Sequence, residues 1–444
     1  MKKFLSIQNK LEKYNKKSII LPGDKSISIR FLILSSLARG KSVASNILKS
    51  EDVINTIKCL RKLGIKIKIS KNKCEVFGKG LYGFEFRKNL ILDAGNSGTC
   101  ARLMIATAID TSQPIKIIGD HSLSTRDMNR VIMPLKKFGA KFKKNNGNLP
   151  LTILKSDNLK PIKYFETLGS AQCKSAVMLA ALKTNGTTFL KCKPSRNHTE
   201  IMYKDVLKLP IKIKKIGNYD FIKVKGNNEF KPFNYNVPSD ISSASFFIVL
   251  TLLGNNSELV LKNINTNKTR IGIINILNLM GAKIKFLNIR KINGERISDI
   301  YVRSNKKLKS INLNPKFNSS AIDEFLLIFL VASICKGTST FKNLSELNKK
   351  ESKRLDIGMS ILQKMGIKVK KIKNDGVKIF GKPDLNLNRE IIINDFMKDH
   401  RVFMVSVIAG LTLGGNWKIY NPESINTSFP SFLTLIKSFG AKIN

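Results

Sequence analysis

The chain has 444 residues, 42% of them hydrophobic, enough for two domains of about 200 residues each, both with a sizeable core. Its formal charge of +47 comes from 78 basic against 31 acidic residues. The lysines recur along the whole length in Lys-x-Lys alternation and are not gathered in a tail, which argues against a dedicated polyanion-binding module. Six cysteines without a CxxC pair and three histidines without ligand spacing argue against a metal site or a disulfide framework, and no apolar run reaches the ~18 residues of a membrane span.

The opening residues, MKKFLSIQNKLEKYNKK, hold too short an apolar segment for a signal peptide, so a cytoplasmic protein is expected. Six times thereafter an amphipathic stretch runs into a hinge and an alternating basic strand: LRKLGIKIK, LKKFGAKFK, VLKLPIKIK, LNLMGAKIK, LQKMGIKVK and IKSFGAKIN. The hinges are Gly64, Gly139, Pro210, Gly281, Gly366 and Gly440, at intervals of 75, 71, 71, 85 and 74 residues. In several repeats helical spacing before the hinge (Leu60 and Leu63, Leu277 and Met280) gives way to period two after it (Ile65 and Ile67). A sixfold repeat of one α/β unit, three copies per domain, is therefore predicted, with Gly capping the helix ends and Pro210 stopping the third. Periodicity leaves open whether helices or sheets lie inside. The Gly-, Asn- and Pro-rich segment 217–239 and the stretch Lys16 to Gly23 are the candidate domain crossings. No low-complexity linker appears, so the halves are expected to face each other across a cleft.

Polar clusters precede the apolar helical runs: Lys25-Ser26, Asn96-Ser97-Gly98-Thr99, Ser170-Ala171-Gln172, Asp240, Asp323-Glu324, Lys350-Glu351 and His400-Arg401. Capping explains Ser, Asp and Asn at such places. It does not explain Lys25, Arg126, Lys350, Arg354 and Arg401, because cations near helix N-termini oppose the dipole unless an anion lies between them. Only 15 of the 78 basic residues are Arg, and seven of these (Arg30, Arg102, Arg126, Arg196, Arg270, Arg354, Arg401) fall in or near these clusters. A planar fork that clamps phosphate or carboxylate is not replaceable by Lys, so the pattern points to a small, strongly anionic ligand. Arg102 and Arg270 are read as structural, Arg102 as one half of an ion pair. His198 is either a ligand contact or a satisfied loop histidine, and His400 is expected to orient Arg401.

In order and spacing, LPGDKSISIR, DAGNSGTCAR, TRDM, SAQCKS, RNHTE, VPSDISSASFF, AIDE, KESKR, DHR and TSFP resemble the 5-enolpyruvylshikimate-3-phosphate (EPSP) synthases across nearly the whole chain. The resemblance implies a two-domain inverse α/β barrel of six βαβαββ-type repeats, with residues 22–238 as one domain and 1–21 plus 239–444 as the other. It implies transfer of the enolpyruvyl group of phosphoenolpyruvate to the 5-hydroxyl of shikimate 3-phosphate, by a monomer with no cofactor, metal, nucleic acid or membrane partner. By motif position Asp323 resembles the base, Glu351 the acid, and Lys25 a catalytic residue shared by both substrates. Ser26, Arg30, Ser170, Ala171, Gln172, Arg196, Asp323 and Lys350 resemble shikimate-phosphate contacts. Asn96, Gly98, Arg126, Gln172, Arg354 and Arg401 resemble the phosphoenolpyruvate clamp. With repeats 1–3 and 4–6 each supplying part of this set, ligands are expected to draw the halves together. GDKS, SAQCK, RNHTE and NKTR resemble the class II branch, and Thr427 stands where sensitive enzymes have Lys, so reduced glyphosate sensitivity is expected.

Three rivals fit less well. The UDP-N-acetylglucosamine enolpyruvyl transferases present a loop Cys and a Lys-Asn pair, whereas here Ser26 follows Lys25 and IIGDHSLSTRDM has no Cys. An RNA-terminal phosphate cyclase needs a nucleophilic His in a nucleotide-binding context. A nucleic-acid module needs aromatic residues interleaved with basic ones, which the linear sequence does not show.

Overall fold

The computed structural model describes residues 3–14, 17–71, 73–305, 307–373 and 375–444; Lys16, which opens one candidate crossing, and Met1, Lys2 and Asn15 of the expected N-terminal segment lie outside the described residues. The chain divides into two compact units. One comprises Gly23–Pro238 and Lys291–Glu295, the other Met1–Pro22, Ser239–Arg290 and Arg296–Asn444. Much of the Gly- and Asn-rich segment 217–239 is regular, with strands at Tyr219–Lys225 and Asn234–Asn236.

Strand pairing repeats six times. In the third sheet, Lys163–Glu166 runs parallel to Thr187–Cys192, which is antiparallel to Tyr219–Lys225, which is antiparallel in turn to Ile211–Ile216. The second sheet follows the same rule with Leu90–Asp93, Ile115–Ile118, Leu151–Leu154 and Lys141–Phe142. In three copies a strand comes from elsewhere in the chain. Asn234–Asn236 lies parallel to Arg39–Ser45 in the first sheet, and Lys17–Ile20 parallel to Glu258–Asn265 in the fourth. In the sixth, Phe4–Ile7 pairs antiparallel with Gly414–Tyr420, and Ile443 bridges to Ile7. The first twenty residues thus supply strands to two sheets of the second unit. Among the described residues the six sheets remain separate, and none closes into a hydrogen-bonded barrel.

The hinges show why Gly recurs. Gly64, Gly139, Gly281, Gly366 and Gly440 all have φ between 79° and 97°, a left-handed conformation that costs another residue about 1–2 kcal/mol. The following N–H closes the helix end, as in Ile65 to Leu60, Ala140 to Leu135, Ala282 to Leu277 and Ile367 to Leu362. The third copy lacks Gly and solves the same problem differently. Its helix widens to a π-turn over Met202–Val206, and Lys208 takes the left-handed conformation (φ 54°) two residues before Pro210.

Each repeat places one apolar helix at the centre of its unit and a second, two-faced helix outside it. Lys25–Leu37, Gly98–Thr107 and Ala171–Leu182 are buried along nearly their whole length in the first unit. Ile241–Leu253, Phe325–Ala332 and His400–Leu413 are buried likewise in the second. The helices are therefore inside and the sheets cover them. A helix hydrophobic all round needs such a place, and six of the seven predicted polar clusters sit at the N-termini of these six helices, while Lys350-Glu351 precedes the outer helix Arg354–Lys364.

Candidate active-site residues

In the first unit Asp24 caps the helix Lys25–Leu37 by accepting from the Ile27 N–H (2.9 Å), so Lys25 begins the helix itself. The Lys25 ammonium is 2.8 Å from Asp52 Oδ2, a carboxylate in the first turn of Glu51–Lys62. One turn on, Arg30 is 5% exposed and each arm of its fork is held: Nε donates to Thr199 Oγ1 (2.9 Å), one NH2 group to Ser175 Oγ (2.8 Å) and the other to the Ser26 carbonyl (3.0 Å).

Ser97 caps Gly98–Thr107 through the Cys100 N–H, leaving Asn96 just ahead of the helix. Asn96 donates to Asp120 (2.6 Å) and accepts from Arg126 (2.7 Å). A Cβ on Gly98 would lie 3.1 Å from a terminal nitrogen of Arg102 and 3.3 Å from one of Arg126, so the glycine lets two guanidinium groups approach the helix start. Among the described residues Arg102 makes no ion pair, contrary to the sequence expectation. It donates to Gln172 Oε1 (2.6 Å) and to the Asp127 carbonyl (3.0 Å). Burial, with Arg130 and Arg126 nearby, lowers its pKa to about 10. Gln172 donates in turn to Thr99 Oγ1 (2.9 Å), so both ends of its amide are fixed.

Ser170 caps Ala171–Leu182, and the loop before it is organised by Glu166, which sequence reasoning missed. This buried carboxylate accepts from the N–H groups of Leu168 (3.0 Å), Gly169 (2.8 Å) and Ser170 (3.2 Å). Burial raises its pKa while the three N–H bonds pull it back. Glu166→Gln turns an amide NH2 toward backbone donors and loosens the Ser170–Gln172 segment. The expected result is a thermal midpoint lowered by about 2–4 °C, read from thermal unfolding of the variant beside the original chain. Arg196 is partly exposed in the loop between Thr187–Cys192 and His198–Ile201. His198 is buried with its Nδ1 2.6 Å from Glu295 Oε1, which favours the structural reading.

In the second unit one residue gathers the carboxylates. Arg354 is 2% exposed, with Nε 2.8 Å from Asp399 Oδ2, one terminal nitrogen against Asp399 Oδ1 (3.1 Å) and Glu351, and the other 3.5 Å from Asp323. Burial opposes its charge, but Asp399, Glu351 and Asp323 outweigh burial and push its pKa up. Asp323 also lies 3.1 Å from Lys350 Nζ and 4.0 Å from Arg401. Glu324, not Asp323, stands at the N-cap position of the helix Phe325–Ala332.

Arg401 donates to the Asp323 carbonyl (2.8 Å) and to Glu324 Oε1 (3.3 Å). Glu324, 1% exposed, accepts from Ser242 Oγ (2.5 Å), and Ser242 from Arg270, which also reaches Asp240. A continuous charged network thus runs from Arg270 to Asp399, and it supports the structural reading of Arg270. His400 Nδ1 meets Thr427 Oγ1 at 3.2 Å.

The chain matches the family described as EPSP synthase (3-phosphoshikimate 1-carboxyvinyltransferase) over residues 10–436. The chain belongs to the EPSP synthase family. It is 39% identical to the 3-phosphoshikimate 1-carboxyvinyltransferase of Ruthia magnifica over 96% of this chain and 95% of the relative, and 39% identical to that of Thermoanaerobacter sp. (strain X514) over 96% and 98%. Its fold superposes on an EPSP synthase structure from Acinetobacter baumannii with a TM-score of 0.85, at 33% identity, covering 100% and 99% of the two chains. The enolpyruvyl transferase NikO from Streptomyces tendae shares the fold at 12% identity (TM-score 0.75, 99% and 98% covered).

Within this EPSP synthase framework, the sequence-predicted residues assemble as two sets, one in each unit. Among the groups that hold them, sequence reasoning missed Asp52, Glu166 and Asp399, and named Glu324 only as a member of a polar cluster. Asp24 and Asp399 carried a readable signal, an acidic residue immediately before a helix.

Proposed function

We propose that this protein is a 3-phosphoshikimate 1-carboxyvinyltransferase (EC 2.5.1.19) that makes 5-enolpyruvylshikimate 3-phosphate and phosphate, a step of aromatic amino acid biosynthesis. The observation that supports the chemistry best is Arg354 holding Asp323 and Glu351 on one guanidinium. In this reading Asp323 takes the proton of the 5-hydroxyl as its oxygen attacks C2 of phosphoenolpyruvate. Glu351 gives a proton to C3, making a methyl group and a tetrahedral ketal. The Glu351 carboxylate then takes back a methyl proton, and as the C–H electron pair forms the carbon–carbon double bond the C2–O bond breaks and phosphate departs with it. Lys350 and Arg401 beside Asp323 supply positive charge for a phosphate or carboxylate of substrate. Arg354 serves chiefly to fix the two carboxyl groups, since its fork is already engaged.

In the other unit, Lys25, Ser26, Arg30, Ser170, Ala171, Gln172 and Arg196 would bind shikimate 3-phosphate. Asn96, Gly98 and Arg126 would bind phosphoenolpyruvate, where a helix N-terminus and a guanidinium favour an anion.

Phosphate release from phosphoenolpyruvate, measured with shikimate 3-phosphate as the varied acceptor, tests the assignment. Turnover is expected with that acceptor and not with UDP-N-acetylglucosamine; the reverse result overturns it. Gly98 has an ordinary φ, so Gly98→Ala should fold normally while its methyl group presses on Arg102 and Arg126. The expected result is a several-fold higher KM for phosphoenolpyruvate with little change in KM for the acceptor, and an unchanged KM for phosphoenolpyruvate would count against the clamp. The protein is further proposed to act as a cytoplasmic monomer; light scattering at micromolar concentration checks the oligomeric state. Among the described residues no helix is long and apolar enough to cross a membrane.

A further inference from the structure

The sheet built from Lys163–Glu166, Thr187–Cys192, Tyr219–Lys225 and Ile211–Ile216 turns one face inward, burying Leu190, Cys192, Ile222 and Val224. Strand alternation sends the other residues outward. In register, Lys163, Phe189 and Lys223 lie side by side, and two residues further along so do Phe165, Lys191 and Phe221. The edge strand extends the two rows with Lys212 and Lys214. The result is a checkerboard in which each aromatic ring has lysines across the neighbouring strands. The linear sequence hides it, because the four strands are drawn from residues 163 to 225.

Two features set this face apart from the basic surface found over the rest of the chain. The rings are open to solvent, with Phe165 42% and Phe189 38% exposed. No carboxylate occupies an outward position on the four strands. The first sheet differs on this point, since Glu75 stands beside Phe77 and neutralises Lys41 at 2.6 Å. Lysines and a fourth ring border these rings: Lys191 Nζ is 4.7 Å from the centre of Phe165 and 4.5 Å from that of Tyr219, which packs edge-on against Phe165 at 5.4 Å, and Lys223 Nζ is 5.1 Å from the centre of Phe189.

We propose that this face binds single-stranded nucleic acid, with bases stacking on Phe165, Phe189 and Phe221 and phosphates taken by the intervening lysines. Phe189 is diagonal to both Phe165 and Phe221, positions about 7–8 Å apart, and Phe165 and Phe221 lie two strands apart in one row, so each can take a separate base. A flat sheet with exposed aromatics between cations is the kind of platform that recognises unpaired bases. Attraction by charge alone would need no exposed ring. The proposal is independent of the transferase reading.

The test uses the full chain and a fluorescein-labelled 12-nucleotide oligouridine, followed by fluorescence anisotropy between 50 and 200 mM salt. Phe165→Ala/Phe189→Ala keeps every lysine and is expected to raise Kd at least about tenfold. Lys191→Ala/Lys223→Ala should reduce the salt slope by about 1.4. Heparin, a polyanion without bases, should bind the double-Phe variant as it binds the original chain. Transferase turnover and thermal midpoint in both variants serve as controls for folding. If the double-Phe variant bound the oligonucleotide as tightly as the original chain, charge alone would explain the binding and the proposal would fail. Binding to anionic lipid vesicles but not to the oligonucleotide would overturn it equally.

Discussion

Asp323→Asn is expected to lower kcat by about 10²- to 10⁴-fold while shifting the KM of either substrate by less than about threefold. The substitution keeps the side chain's shape and one acceptor oxygen but removes the basic form. Lys350 and Arg401 stay in place, and Arg354 retains Asp399 and Glu351, so the variant should fold. Quenched-flow measurement of ketal formation separates the step: with the base lost, formation itself slows. Turnover within about tenfold of the original chain would remove Asp323 from the role of base. Glu351→Gln offers a contrast, because it removes the proposed proton donor and leaves Asp323 between Lys350, Arg401 and Arg354.

The repeat was legible because it rests on local chemistry. A left-handed helix end favours Gly, and a strand with one face outside favours period two, so the period recurs at each copy and Gly at five of the six. The third copy shows the limit. Its π-turn at Met202–Val206 and the left-handed Lys208 perform the task of the glycine, and nothing in VLKLPIKIK announces them. The borrowed strands Phe4–Ile7, Lys17–Ile20 and Asn234–Asn236 were equally hard to assign, because pairing over such separations is set by sheet edges that local pattern does not encode.

The candidate site divides similarly. Lys25, Arg126 and Arg401 stood out because a cation at a helix start is locally unfavourable. Glu166 did not, since its worth lies in three backbone donors arranged by a turn, and Glu324 became informative only once Ser242 and Arg401 were seen against it. The checkerboard of Phe and Lys is the sharpest case: a search for aromatic residues interleaved with basic ones along the chain finds none, while strand register creates the pattern across it.

Asp399→Ala is expected to cost about 3–5 kcal/mol of stability at neutral pH, because it leaves the buried Arg354 charge without its main partner. The side chain is 0% exposed, and all its visible work is acceptance: from Arg354 twice, from Ser352 Oγ (2.9 Å) and from the Arg401 N–H (2.9 Å) that opens the helix His400–Leu413. Burial alone would push its pKa up, but Arg354 outweighs burial and holds the carboxyl below its ordinary value. A carboxyl depressed in the folded state contributes its full stability above the unfolded pKa of about 3.9, and that contribution is lost as pH falls through the folded value. The arginine stays charged throughout, its own pKa being raised. Urea unfolding of the original chain and the variant should therefore show a gap that is constant between about pH 5 and 7 and narrows below about pH 4. A gap under about 1 kcal/mol at pH 7, or one unchanged at pH 3, would contradict the account. Loss of the Asp399 anchor also frees Arg354 to draw Glu351 and Asp323 closer, so kcat should fall even at temperatures where the variant remains folded. Asp399→Asn, which can still cap the helix and accept one bond, should recover part of the stability and little of the turnover.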